Sequence, residues 1–543
     1  MTFFTDNKSN RSVLGVLPAK TLIPVILILL LILPAYLTNL GKLRLIDDES
    51  LRVIVGLEMK ISGDYITPTV GGDNYFKKPP VFNWILASAY SVTGNYSELT
   101  QRITSLVFLF LFGLSVFFII KKRYGLRAGY ITALLFIANG RILIYESLFG
   151  LIDITYSWLI FCNFILIYSL RKRGKYLQLF IFSYVITAVA FLMKGIPTLA
   201  FQGITLLVAF IPEGKFRILL SWKHFISIFL LFLILGGYYY AFSVRNPGEI
   251  STLLSTLFKE SADKSVVGFG IKDMFFHVFD YSFQILYNFV PPTLVVIFFF
   301  SKKPFNLIRN DPFLLYLSHV LIFNIIIYLI SPISFMRYVI MFIPIVSLLF
   351  TVYYLKEKEG HTLHIRLLEI LFMIFTATML LGMPAFAIIK KTGFVNHAWL
   401  KVVVLMLGFV TTFVFMIRQK NIRIELMIIS LLLTRIAFDW FILPSRVHNN
   451  WEIHAKLDSQ RLARETADLP LYELRNGKTR YLPTPLLYYM TAEKQKIIRA
   501  RDKMDIPGYY LVNDTSGKYS KFRVDSLFAL PDMTLSLIKI TNK

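Results

Sequence analysis

Long apolar blocks alternate with short basic ones along most of this chain. Each block has the length and character needed to cross a hydrocarbon core roughly 30 Å thick. Windowed apolarity places spans over residues 22–39, 103–120, 130–145, 151–170, 176–193, 197–211, 225–240, 283–300, 313–330, 336–355, 367–389, 400–417 and 424–443, about 13 in all. The first is longer than the roughly 7–15-residue core of a signal peptide, and Leu40-Gly41-Lys42 after it offers no small-residue cleavage site. It reads as a retained helix.

Three stretches are too polar to span: residues 41–101, residues 245–281 behind the turn Arg245-Asn246-Pro247-Gly248, and the tail 444–543. In the first, Asp48-Glu49-Ser50 precedes Leu51, Val53, Ile54, Leu57, Met59 and Ile61, an apolar set that predicts an amphipathic helix at the membrane surface. It stops at Ser62-Gly63-Asp64. A turn-rich segment then leads to Tyr75-Phe76-Lys77-Lys78-Pro79-Pro80, and residues 81–92 predict a second surface helix, with Trp84, Tyr90 and Tyr96 as interfacial aromatics. Two such helices would roof the bundle. The tail predicts a small α/β domain, with a helix near 451–468 and a strand at 508–512 ended by Asn513-Asp514-Thr515-Ser516-Gly517. The expected division is a transmembrane domain, 1–443, and a soluble domain, 444–543.

Composition agrees with a polytopic α-helical membrane protein. Of 543 residues 56% are hydrophobic and 17% charged, where a soluble domain has about 25% charged. The single cysteine, Cys162, excludes a disulfide framework. A net charge of +25 could suit nucleic acid, but its placement argues otherwise. The cations fall in alternate loops: Lys8, Arg11 and Lys20; Lys121-Lys122-Arg123; Arg171-Lys172-Arg173; Lys215 and Arg217; Lys302-Lys303; Lys356 and Lys358; Arg418, Lys420 and Arg423. The intervening loops 146–152 and 331–335 lack Lys and Arg. The positive-inside rule then predicts a cytoplasmic N-terminus and, with an odd span count, a tail outside the plasma membrane. The chain shows no internal repeat, Walker A loop, GxGxxG run, zinc-spaced Cys/His set or GxSxG elbow.

The first polar loop also carries a family resemblance. Asp48-Glu49, Ser62-Gly63-Asp64-Tyr65, Pro68, Gly72, Tyr75-Phe76-Lys77-Lys78-Pro79-Pro80, Trp84 and then Arg102 at the next span resemble the first outer loop of the polyprenyl-phosphate-sugar-dependent glycosyltransferases. These GT-C membrane enzymes include protein O-mannosyltransferases and the aminoarabinose transferases that modify lipid A. Asp153 after an outer turn, Met193-Lys194-Gly195, and Arg337-Tyr338 before Pro344 resemble the family's later motifs in order. The resemblance implies a GT-C fold with about 13 spans and a periplasmic C-terminal domain in a bacterial inner membrane. It implies a polyprenyl-phosphate sugar donor and a lipid A, protein or envelope-glycan acceptor. Two departures stand out: the family's arginine after the acidic pair is displaced to Arg52, and its glutamate before Lys-Pro is Lys77. In the lipid A enzymes that glutamate is in a metal-binding position, so no divalent metal is carried over.

Transfer of a sugar from a lipid monophosphate needs a carboxylate near the attacking oxygen and fixed cations on the departing phosphate. The resemblance makes Asp48 the base, with Glu49 supporting it and Asp153 orienting substrate or sharing the role. Lys78, Lys194, Arg337 and Tyr338 become candidates for the phosphate, and Tyr75, Phe76, Pro79 and Arg102 for the substrate loop. Blander readings compete. Asp48 could cap its helix, Asp153 could be a solvated turn residue, Lys194 could reach headgroups, and Lys78 and Arg337 could touch lipid phosphates. Arg435 and Asp439, at i,i+4 in the last span, read as a structural ion pair. His277 reads as an interfacial residue and Cys162 as core. The alternative function is a lipid or solute transporter or flippase, though such proteins tend to keep their ionisable groups near the bilayer midplane.

Overall fold

An apolar block in lipid must satisfy its own backbone hydrogen bonds, which makes it a helix. A computed structural model of the chain describes residues 19–263, 271–300, 303–331, 333–389, 395–447, 451–475, 480–513, 523–530 and 533–541. In it every predicted span lies on helical structure. The chain runs through α1 (Ala19–Leu37), α2 (Asp47–Ser62), the hairpin β1 (Thr69–Val70) and β2 (Asp73–Asn74), α3 (Val81–Thr93), α4 (Glu98–Ile137), α5 (Gly140–Ile144) and α6 (Ile152–Lys172). There follow α7 (Tyr176–Lys194), α8 (Pro197–Phe210), α9 (Trp222–Arg245), α10 (Ile250–Ala262) and α11 (Ile271–Asn288). Then come α12 (Lys303–Asn310), α13 (Pro312–Leu329), a 3₁₀ segment Met336–Phe342 continuing into α14 (Ile343–Glu359), α15 (Leu363–Gly382), α16 (Ala385–Ile388), α17 (Ala398–Arg418) and α18 (Arg423–Ala437). Among the described residues nine helices are long and apolar enough to cross a membrane, and Thr21–Leu37 and Pro197–Phe210 are shorter apolar helices.

Two predicted spans share α4. The helix breaks at Gly125, where φ is 86° and ψ 171°, a conformation that suits glycine. A Cβ added to Gly129 would lie 3.0 Å from Lys121 N, so the two limbs turn back on each other there. The span predicted over 283–300 is not one straight helix. It is the end of α11 and a 3₁₀ segment, Pro292–Phe300, bent by 109°. Pro291 and Pro292 lie at the bend and have no N–H to continue the ladder. The polar segment 245–281, expected as a loop, is helical over α10 and the start of α11. Lys8, Arg11, Lys302 and Asp514-Thr515-Ser516-Gly517 lie outside the described residues.

The C-terminal unit comprises α19 (Leu443–Val447), α20 (Trp451–Glu465), β3 (Leu471–Leu474), α21 (Thr484–Lys494), β4 (Arg499–Arg501), β5 (Gly508–Asn513), β6 (Arg523–Leu530) and β7 (Met533–Ile540). Its five-stranded sheet has the order β4-β3-β5-β7-β6. The strand β3 pairs in parallel with β4 and β5, and β7 runs antiparallel to β5 and β6. The parallel step from β3 to β4 is spanned by α21, as a crossover requires.

This unit grips the first polar loop. Both roof helices are present, and α2 is covered on two sides, by α3 and by α21. At Gly56 the backbone approaches α3 so closely that a Cβ would lie 3.1 Å from Leu86 Cβ. On the other side Leu486, Leu487 and Met490 of α21 are buried. Tyr488 donates to Tyr96 O (2.8 Å) and meets Tyr90 Oη at 3.1 Å, while Tyr489 donates to Glu98 Oε1 at 2.8 Å. Lys456 pairs with the same Glu98 oxygen at 2.6 Å. The hairpin is held from both directions. Glu58 of α2 accepts from Thr69 Oγ1 (2.7 Å) and Gly72 N (3.0 Å), and Arg480 donates to Val70 O (3.1 Å) and Gly71 O (3.2 Å). Burial pushes the Glu58 carboxyl upward despite those donors.

Candidate active site

Asp48 and Glu49 are neighbours on the first turn of α2 and point to different partners. Glu49 is fully buried and holds Arg102 in a two-pronged pair, Nε–Oε1 2.9 Å and Nη2–Oε2 3.0 Å. Its oxygens also accept from Gly150 N (2.7 Å) and Ile46 N (3.3 Å), the latter closing the start of the helix. Arg102 spends its other donors on the carbonyls of Leu40, Leu43 and Arg44. The Glu49–Arg102 pair thus clasps the chain between α1 and α2 onto α4. These contacts fix the start of α2, the turn that carries Asp48.

Asp48 does not cap the helix. Its carboxylate reaches Arg337 at the head of the Met336–Phe342 segment. Arg337 Nε lies 3.3 Å from Asp153 Oδ2, and Asp153 Oδ1 accepts from Lys194 Nζ at 2.5 Å. The result is an unbroken chain of alternating charge, Asp48–Arg337–Asp153–Lys194. It draws on α2, the Met336–Phe342 segment, the first turn of α6 and the last residue of α7. Asp153, Arg337 and Lys194 are all buried, so Asp153 is not a solvated turn residue and both cations are held against carboxylates. Lys194 Nζ also sits 4.1 Å from the centre of the Tyr338 ring and 4.8 Å from that of Tyr156.

A cavity of ≈ 360 Å³ opens beside this chain. Lys77, Lys78, Lys194 and Tyr338 line it, together with Glu260 and Ser261 of α10 and an apolar wall that includes Ile196, Leu257, Ile327, Ile330 and Ile333. Tyr75, Phe76 and Pro79 of the loop motif are not among the residues lining it; with Lys78 they line a separate small crevice, and Arg102 is buried against Glu49. The Tyr75 hydroxyl accepts from Arg52, whose guanidinium lies 5.0 Å from the ring centre. Phe76 packs edge-on against Phe242, and Pro79 lines a small crevice with Tyr238 and Tyr239. These contacts hold the Lys77-Lys78 pair against α9 and α10.

Two groups at or near the site are not among the candidates read from the sequence. Lys77, where the sequence departs from the family's glutamate, lines the cavity and pairs with Glu260 at 3.9 Å. Glu146 is buried between α5 and α6 with Arg141 Nε on its Oε1 at 2.7 Å and, among the described residues, no hydrogen-bond partner for Oε2. Burial, with a push from Asp153 and against the pull of Arg141, raises its carboxyl to about 7. Its signal was an acidic side chain in an otherwise apolar turn, a placement that raises the expectation of function. Arg435 and Asp439 form the expected pair at 2.9 Å, fully buried, and Arg435 also donates to Leu143 O and Ser147 Oγ in the same turn region. His277 meets Tyr328 O at 3.3 Å.

A divalent metal does not fit the position that the resemblance raised. Lys77 offers an ammonium, and Glu260 is the single carboxylate among the residues lining the cavity. Among the described residues no three His, Cys, Asp or Glu side chains are grouped to hold a metal ion.

The bundle, its roofing loop and the small sheet unit define a multi-pass membrane protein of the GT-C fold. Comparison with known proteins agrees. Residues 77–240 match the model of the family described as Dolichyl-phosphate-mannose-protein mannosyltransferase. ArnT from Cupriavidus metallidurans bound to undecaprenyl phosphate superposes with a TM-score of 0.68 at 18% identity, covering 96% of this chain and 98% of that one. The same protein in its apo state gives 0.64 with the same identity and coverage. No curated protein matches by sequence. Family match over residues 77–240 and shared fold together agree with the resemblance read from the loop motif.

Proposed function

We propose that this protein transfers a sugar from a polyprenyl-phosphate donor to an acceptor hydroxyl or phosphate on the outer face of a bacterial inner membrane. The N-terminus is cytoplasmic in this reading, and the C-terminal unit, residues 444–543, lies outside with the site. The observation that carries it is the lysine-lined cavity abutting the Asp48–Arg337–Asp153–Lys194 chain. Its apolar wall suits an isoprenoid tail, and its ammonium groups suit a phosphate.

In the reaction the acceptor oxygen attacks the anomeric carbon, and the bond from that carbon to the donor phosphate oxygen breaks. Asp48, the exposed carboxylate of the chain, takes the acceptor proton. Lys78 and Lys194 meet the charge that grows on the departing phosphate, where fixed cations act most strongly in a poorly hydrated site. Arg337 and Tyr338 hold Asp48 and Lys194 in register, and Asp153 fixes both cations from behind. The family match and the ArnT-like fold support the donor class. The acceptor, whether lipid A, a protein or an envelope glycan, is a matter of the rim.

The test is release of free polyprenyl phosphate by purified protein supplied with polyprenyl-phosphate sugars and an envelope extract. Donor-dependent release is expected. Movement of the lipid across vesicles with no free polyprenyl phosphate from any donor would replace the transferase with a flippase.

A further inference from the structure

Each carboxylate around the cavity already faces a cation. Glu260 on α10 stands 3.9 Å from Lys77. Asp153, behind the wall, holds Lys194 at 2.5 Å and Arg337 at 3.3 Å, and Asp48 takes the other side of Arg337. Facing the space itself are three ammonium groups, Lys77, Lys78 and Lys194, against the one carboxylate of Glu260. A donor's phosphodiester brings one negative charge and still leaves the cations lining the space in excess.

We infer that the cavity admits a donor whose sugar bears no ammonium group, and that Lys77, seated against Glu260, is the residue that sets this preference. The inference rests on the donor reading above and names the class of sugar. A cationic sugar would add a fourth positive group to a space whose lining already carries three ammonium groups and an apolar wall. It would also find no carboxylate without a cation of its own. Repulsion of this kind separates related ligands more sharply than a missing contact does. A neutral sugar meets ammonium donors for its hydroxyl oxygens, and a uronate meets charge of the opposite sign. Lys77 is suited to the part by its position: it sits at the rim with its side chain 62% exposed, paired across the opening with a different element. The lysine and its carboxylate partner form a unit, so reversing one charge leaves the other unopposed.

The experiment uses the full-length protein in nanodiscs and three donors built on one polyprenyl phosphate, carrying a neutral hexose, a hexuronate or an amino-deoxy pentose. Equilibrium binding of each is measured against polyprenyl phosphate alone. The neutral and uronate donors are expected to bind at least about tenfold more tightly than the amino-sugar donor, the scale of an unrelieved like-charge contact. Lys77→Glu should narrow or reverse that ratio, and Glu260→Gln, which leaves Lys77 in place, should widen it. Equal binding of amino-sugar and neutral donors by the wild type would overturn the inference and leave the donor reading standing. A ratio unmoved in Lys77→Glu would remove Lys77 as its source. Failure to bind any of the lipids, polyprenyl phosphate included, would overturn the donor reading along with it.

Discussion

Asp48 has 57% of its side chain exposed, whereas Asp153 has 3%. The two carboxylates share Arg337 but differ in what they can meet. Asp48 can receive a proton from an incoming acceptor, while Asp153 is locked between two cations. Asp48→Asn should therefore keep donor binding and lower turnover by about 10²–10⁴-fold, the usual range for a lost general base. Single-turnover kinetics with separately measured donor affinity checks this, and unchanged turnover would exclude Asp48 from the chemistry. Asp153→Asn should instead weaken donor binding and turnover together, because it frees Lys194 and Arg337 to move.

A second prediction at this scale concerns Glu146. Its carboxyl is raised from 4.5 to about 7, so between those values the folded protein holds a proton that the unfolded chain gives up. Its contribution to stability is full below about 4.5 and is lost as pH rises through about 7. Thermal unfolding in detergent at pH 5 and pH 8 should show a pH-dependent loss in the wild type that is smaller in Glu146→Gln. An identical pH dependence in both proteins would show that Glu146 is not its source.

At the scale of elements, the Glu49–Arg102 clasp and the docking of α21 decide where α2 sits. Removing one partner of a buried ion pair strands the other charge, a loss of roughly 3–5 kcal/mol. Arg102→Met should thus destabilise the protein, and adding Glu49→Gln should recover part of the loss, both read as shifts in unfolding temperature. Arg480→Ala should act differently. It removes the donors to Val70 O and Gly71 O while the Arg475–Asp73 pair (2.6 Å) remains, so proteolysis within residues 66–75 should accelerate. It also strands the buried Glu473 carboxylate that Arg480 faces at 3.1 Å, so the C-terminal unit should lose stability as well. No change in cleavage rate would mean that Glu58 and the Arg475–Asp73 pair hold the hairpin without Arg480.

The elements were largely legible because twenty apolar residues in lipid have few alternatives to a helix. The bend after α11 was not, since mean apolarity is blind to a pair of prolines inside an otherwise uniform run. Nor was the double cover on α2. Its apolar stripe predicted one buried face, and the surface that covers the second side is supplied by α21, more than four hundred residues later in the chain. The site was legible as residue types from the loop motif but not as pairings. Asp153 meets Lys194 across 41 positions and Asp48 meets Arg337 across 289, and nothing local in the sequence encodes either approach.

At the scale of the whole molecule, the alternation of basic and non-basic loops predicts which end faces the cytoplasm. With Cys162 replaced by Ala, a cysteine at Val92 should react with an impermeant thiol reagent on intact cells, and one at Lys172 should react only after permeabilisation. The reverse pattern would invert the orientation and remove the proposed site from the outer face.

The grip of the C-terminal unit on the first polar loop also sets a timetable. A ribosome releases α2 and its hairpin more than four hundred residues before α21, so during synthesis the loop must wait, with one flank bare, while the bundle is threaded between them. Until α21 docks, α2 rests on α3 and on the Glu49–Arg102 clasp, so a chain cut short between the bundle and α21 should insert with its roof loosened.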